Sequence, residues 1–177
     1  MRKSFLLLAL LLPALVLAPG DEKKDIWKPF QFLVGEWEGL GEGKSGVSKV
    51  EKDFRFIMNG QYLHLKTKAV FEPQEKNPKG EIHEDWGFFS YDRSRKRFVF
   101  RQFHIEGFIN QYVLESISDD GKTLVFDSEE FENAPPGWKA RITYKILGKD
   151  TLEESFDLAT PGKDLQCYIL NTLRRKK

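Results

Sequence analysis

The sequence predicts an all-β fold: ten consecutive strands closed into an antiparallel up-and-down barrel, with a short helix before the first strand. Two observations carry that expectation. Turn-forming residues recur from Gly35 onward at intervals of about 10–14 residues; they are Asn59-Gly60, Asp92-Arg93-Ser94, Asp119-Asp120-Gly121, Gly148-Lys149-Asp150 and Pro161-Gly162. Between them lie runs of alternating polarity rich in β-branched and aromatic residues, and aromatics make up 14% of the chain. Mostly hairpin-length connections favour a barrel, with a two-sheet sandwich as the alternative.

In chain order, residues 1–20 read as a removable signal peptide. Arg2 and Lys3 precede an apolar run from Phe5 to Ala18, and Ala18 and Gly20 are small residues ahead of a cleavage point at Asp21. That run is shorter than the roughly 20 residues a membrane span needs. The expectation is therefore an exported protein, periplasmic or secreted, with residues 21–177 forming one β-barrel domain and no transmembrane segment in the mature chain. A short helix is predicted near 25–34, where Ile26, Phe30, Phe32 and Leu33 form a brief apolar face. The predicted strands are 35–42, 46–57, 61–71, 81–91, 96–104, 107–117, 122–131, 138–147, 151–159 and 164–174. In the second, Val50, Phe54, Phe56 and Met58 share one face; in the third, Leu63, Leu65, Ala69 and Phe71 do. The widest connections, 72–80 and 132–137, contain Pro73, Pro78, Pro135 and Pro136 and should project from the barrel mouth.

Charge and composition exclude several function classes. The formal net charge is +1; without Arg2 and Lys3 the mature chain has 26 basic against 27 acidic side chains, so it offers no electrostatic footprint for nucleic acid. The single cysteine, Cys167, excludes an internal disulfide and a cysteine-built zinc site, and reads most simply as a small buried residue. There is no Gly-x-Ser-x-Gly elbow and no phosphate-binding loop before a helix.

The most informative motif is Phe32-Leu33-Val34-Gly35-Glu36-Trp37-Glu38-Gly39. A Trp opening the first strand, after a short helix, can plug the closed end of a barrel. Gly35, Gly39, Gly41 and Gly43 share its face and permit close approach of other strands. Arg174 and Arg175 close the last strand, and a guanidinium stacked on Trp37 would contribute about 0.5–2 kcal/mol; Arg174 is the expected partner. This pairing resembles the calycin superfamily, and ten strands resemble its fatty-acid-binding-protein-like branch more than the lipocalins.

Within that superfamily the chain most resembles nitrobindin and related THAP-type haem-binding β-barrels. The likeness rests on Leu33 to Gly43, on His83-Glu84-Asp85-Trp86-Gly87-Phe88, and on His104-Ile105-Glu106-Gly107. It implies ferric haem b, nitric-oxide binding and peroxynitrite isomerisation. The family's iron-binding His lies on the last strand, where Leu165-Gln166-Cys167-Tyr168-Ile169-Leu170-Asn171-Thr172 has Tyr168 at the matching position. Tyrosinate can ligate ferric haem, so Tyr168 is either an iron ligand or a cavity-wall aromatic. His104, near a rim hairpin, either covers a bound group or is a solvated turn residue.

Other candidates have simpler readings. His83 and Asp85, two apart on one strand, face the same side and form either a hydrogen-bonded pair or part of a metal site; the only metal expected is haem iron at Tyr168. His64 falls on the polar face of the third strand and should be exposed. The direction of Arg101 and Arg141 is open, and Arg55 should point outward. Three functions follow: a binder of a small hydrophobic ligand with haem as first candidate, a haem-dependent isomerase or scavenger of reactive nitrogen species, or a ligand-free envelope interaction module. Tyr168 and His104 are the expected ligand-binding residues, Trp37 and Arg174 the structural closure.

Overall fold

The computed structural model describes residues 25–177; the expected leader, 1–20, lies outside the described residues. A 3-10 helix, Lys28–Leu33, leads into β1 (Gly35–Gly43), β2 (Gly46–Ile57), β3 (Tyr62–Phe71), β4 (Glu81–Asp92) and β5 (Arg97–His104). There follow β6 (Ile109–Ile117), β7 (Thr123–Glu132), β8 (Lys139–Gly148), β9 (Thr151–Ala159) and β10 (Gln166–Arg175). Every strand pairs antiparallel with its sequence neighbours and β10 pairs with β1, so the sheet closes and leaves no edge. The strand bounds match the alternation in the sequence to within two residues. The sandwich alternative is excluded by the closed hydrogen-bonding order. Among the described residues, no helix is long and apolar enough to cross a membrane.

The helix is short because Pro29 sits at its start and Gly35, at φ +123°, turns the chain into β1. Its Phe30 and Leu33 are fully buried and plug one end of the barrel. Phe30 packs 4.5 Å from Phe98, Trp27 lies 5.1 Å from the same ring, and Phe89 stacks on Phe100 at 4.0 Å. Aromatic packing of this kind adds about 0.5–1.5 kcal/mol per pair beyond area burial.

Trp37 completes the plug. Its indole Nε1 donates to the Leu33 carbonyl at 2.7 Å, and a guanidinium lies 4.1 Å from the ring centroid. That guanidinium belongs to Arg175, not to the expected Arg174. Arg175 is the cross-strand partner of Trp37 and shares the inward face of Asn171 and Leu173, whereas Arg174 is exposed. Arg175 also donates to the carbonyls of Phe32 and Val34, tying the last strand to the helix. At the β1–β10 seam a Cβ on Gly39 would collide with the Thr172 carbonyl, and one on Gly41 with the side chains of Asn171 and Ser48.

The β1–β2, β3–β4, β5–β6, β7–β8 and β9–β10 connections share the opposite, open end. There the side-chain amide of Gln74 pairs with Val47 as a strand residue would, accepting from its N–H and donating to its carbonyl, both at 2.7 Å. The long loop after β3 is thereby fastened to β2. Several inward assignments hold: Val50, Phe54, Leu63, Leu65, Ala69 and Phe71 are buried. Met58 does not follow, because it begins the β2–β3 turn at φ +49° and is exposed.

Residues left open in the sequence also resolve. Arg141 points outward and holds Asp127 with two hydrogen bonds of 2.6 and 2.7 Å; Arg55 pairs outside with Asp53 and Glu36. Arg101 reaches Ser90 Oγ at 3.3 Å, from the face opposite its inward neighbours Phe100 and Gln102. His64 is half-buried rather than exposed, since Trp86 and Phe88 pack on its ring from the adjacent strand. Cys167 is exposed rather than buried, because it lies on the outward side of β10 just before a bulge.

Removing the Arg175 side chain loses both the stack on Trp37 and two charge-assisted hydrogen bonds to the helix. Arg175→Ala is expected to lower unfolding stability by about 2–3 kcal/mol, while exposed Arg174→Ala stays within about 0.5 kcal/mol of wild type. Urea denaturation of the two variants side by side checks the difference.

Candidate functional site

Below the open end lies a cavity of about 450 Å³. Its rim carries aromatic residues, Phe71, Phe108, Phe131, Trp138 and Phe156 among them, together with Glu81 and Glu106. Its floor is polar, and strand register explains why. Lys52 on β2, Thr67 on β3, Asp85 on β4 and His104 on β5 lie on adjacent strands, and Thr67–Asp85 and Asp85–His104 are direct cross-strand partners, as are Lys52 and Thr67. These inward positions form one row across four strands. A second row runs through Glu154 on β9 and Asn171 on β10 to Ser48 on β2, both Asn171 and Ser48 being partners of Gly41.

The two rows meet in a buried ion pair. Lys52 Nζ lies 2.9 Å from Glu154 Oε2, with only 3% and 6% of the two side chains exposed, and it also donates to Thr67 Oγ1 at 3.1 Å. Asn171 Nδ2 donates to the same Glu154 oxygen at 2.7 Å. A buried charge is tolerated only when it is paired and hydrogen-bonded in this way. Sequence reading missed Lys52 as an interior cation. The signal was its parity with Val50 and Phe54, which carries a lysine onto the apolar face.

The β4–β5 wall holds the titrating groups. His83 Nδ1 lies 2.7 Å from Glu106 Oε1, and its Nε2 lies 3.6 Å from Asp85 Oδ2. The His83 and His104 rings are 5.4 Å apart, and His104 stacks on Phe108 at 4.2 Å. Asn110 Nδ2 lies 3.1 Å from His104 Nε2 and donates to Tyr112 OH at 2.9 Å. Burial alone would depress His83, but its hydrogen bonds with Asp85 and Glu106 prevail and carry it up to about 9. Burial dominates at His104 and pushes it down to about 4, against the opposing pull of Asp85. Burial would raise the Asp85 carboxyl, yet His83, Lys52 and Gln102 hold it below the usual carboxylate range.

The expected ligand residues stand on opposite walls. Tyr168 is the extra residue of the β10 bulge between Cys167 and Ile169, so strict alternation with its neighbours fails and its side chain lines the cavity. Its hydroxyl is 3.4 Å from Ser45 Oγ, Lys44 Nζ sits 6.0 Å from its ring centroid, and Phe156 meets it edge-on at 5.9 Å. His104 also lines the cavity, five strands round the barrel from β10. It is a cavity residue, not a solvated turn residue. Trp37 and Arg175 lie at the plugged end and take no part in the cavity wall.

Two expectations follow from these charges. In an NMR titration His83 should titrate near pH 9 and His104 near pH 4. The raised His83 pKa contributes stability that is present below its ordinary value of about 6.5 and is lost as pH rises through 9; the lowered His104 pKa contributes stability present above about 6.5 and lost as pH falls through 4. Unfolding free energy read across that range should therefore decline on both sides of a maximum near neutrality. Lys52→Met leaves Glu154 buried without its cation and should cost about 3–5 kcal/mol. The double variant Lys52→Met, Glu154→Gln should recover part of that loss in a chemical-denaturation cycle.

Comparison with known proteins adds the following. A sequence model described as the THAP4-like, heme-binding beta-barrel domain matches residues 27–175. Among solved structures, Rv2717c from M. tuberculosis aligns with a TM-score of 0.64 at 19% identity, covering 85% of this chain and 97% of that one. A de novo designed fluorescence-activating β-barrel aligns at a TM-score of 0.43 and 13% identity, over 82% of this chain and 95% of the design. No curated protein matches.

Proposed function

We propose a function from one premise: the chain belongs to the THAP4-like, haem-binding β-barrel domain family. The cavity binds a small, largely apolar ligand, with haem b as the first candidate. The observation that carries this reading is the cavity itself, about 450 Å³ with an aromatic rim and an open mouth, in a barrel whose other end is fully packed.

The residues fit haem in kind. The β10 bulge brings the Tyr168 phenol into the cavity, and the opposite wall carries His104, whose buried Nδ1 has no hydrogen-bond partner. Tyr168 would hold the iron in place of the family's histidine, and Lys44 Nζ lies 6.0 Å from its ring centroid. Phe108, Phe131 and Phe156 would contact the macrocycle. Bound ferric haem would supply an iron able to take a small ligand such as nitric oxide. The leader read in residues 1–20 supports the proposal that this binding takes place outside the cytoplasm.

Hemin titrated into the protein should give a saturable Soret shift at one equivalent, and Tyr168→Phe should remove it. A featureless titration that is the same in both proteins would defeat the haem reading and turn the search to lipids and other apolar ligands.

A further inference from the structure

We infer that His83, Asp85 and His104 form a mononuclear site for a divalent first-row transition-metal ion, with its remaining coordination positions open to the cavity. This goes beyond haem binding and needs neither haem nor Tyr168.

The register of β4 and β5 makes Asp85 and His104 direct partners, and His83 is two residues before Asp85 on the same face. One ligand atom from each residue lies within 4.8 Å of the other two. Metal bonds of about 2.0–2.2 Å place ligand atoms roughly 3–3.5 Å apart, so an ion draws the three side chains in by about an ångström. Side-chain rotation supplies movement on that scale without disturbing the strands.

The hydrogen bonds already made leave the right atoms over. His83 Nδ1 is engaged by Glu106, which leaves Nε2 facing Asp85. His104 Nε2 is engaged by Asn110, which leaves Nδ1, and that nitrogen is buried without a partner. Asp85 is 3% exposed and its Oδ1 is likewise buried and unpartnered. A protonated His83 paired with Asp85 and Glu106 satisfies neither of those orphaned atoms. A cation between them engages both.

The outer contacts are those a metal site needs. A carboxylate on the far nitrogen of a ligating histidine fixes its ring and raises its basicity, and Glu106 holds His83 this way. Asn110 Oδ1 is also buried and unpartnered. Turning that amide over lets Oδ1 accept from both His104 Nε2–H and the Tyr112 hydroxyl, and this is the tautomer that leaves Nδ1 free for the ion. Two imidazoles and one carboxylate suit Zn²⁺, Fe²⁺ or Co²⁺ rather than the oxygen-seeking Ca²⁺ and Mg²⁺.

The test is calorimetric titration of the haem-free full chain with Zn²⁺, with Co²⁺ absorption as a report on ligand geometry. One ion should bind per chain and raise the melting temperature. Asp85→Asn, His83→Gln and His104→Ala should each weaken binding by at least about 100-fold, and Glu106→Gln by about 10–100-fold. His64→Ala, on the outer wall, should bind as wild type does. Circular dichroism confirms folding; if one ligand variant fails to fold, the other two carry the same test. Absence of saturable binding, or equal affinity in all the ligand variants, would overturn the site. A protein that takes Zn²⁺ but no hemin keeps this site and loses the haem reading, and the reverse outcome does the opposite.

Discussion

The β1–β10 seam is the constraint on which the rest of the structure depends. A ten-stranded sheet closes only if its first and last strands come within hydrogen-bonding distance, and Gly39 and Gly41 are where β1 presses against the neighbouring backbone and side chains. Closure also fixes which residues face in. With β1 and β10 in register, Trp37 meets Arg175, and the helix they hold fills the end beneath them. Once that end is solid, all remaining interior volume lies at the other one.

That division of the interior explains the distribution of chemistry. Aromatic rings crowd the plugged half, where the Trp37 indole and the Arg175 guanidinium are satisfied by backbone carbonyls of the helix and the residue after it. The buried polar side chains at mid-barrel stand in cross-strand rows, and the buried charges there survive because Lys52 and Glu154 pair across the interior and are hydrogen-bonded by Thr67 and Asn171. The ion pair of Lys52 and Glu154 links two sides of the barrel, and Thr67 connects it along one row to the histidine–carboxylate wall. A ligand entering from the mouth meets both aromatic rings and the carboxylates Glu81 and Glu106, and reaches the Lys52–Glu154 ion pair deeper in.

Much of this was legible in the sequence. The strands were, because period-two alternation and turn residues are local signals, and so was the family, because the Gly-x-Trp opening and the His83 segment are contiguous. What could not be read was register. The convergence of His83, Asp85 and His104 depends on which residue of β5 faces Asp85, and nothing in either strand alone states that. Lys52 escaped notice because a lysine among apolar residues is ordinarily assigned to solvent. Two arginines end β10, and which of them meets Trp37 is set by a long-range pairing that no local pattern states, while the bulge at Tyr168 breaks the alternation along the strand.

The stack of Arg175 on Trp37 also bears on how the chain folds. It joins the first strand to the tenth, so the contact that seals the barrel needs all ten strands. Until β10 docks between β9 and β1 the sheet is open with two unpaired edges, and each edge is a template for another chain. Contacts between distant residues also form slowly, because the loop between them must close first. The interval before β10 docks is therefore when this protein is most exposed to aggregation, and a holding chaperone would act in that interval.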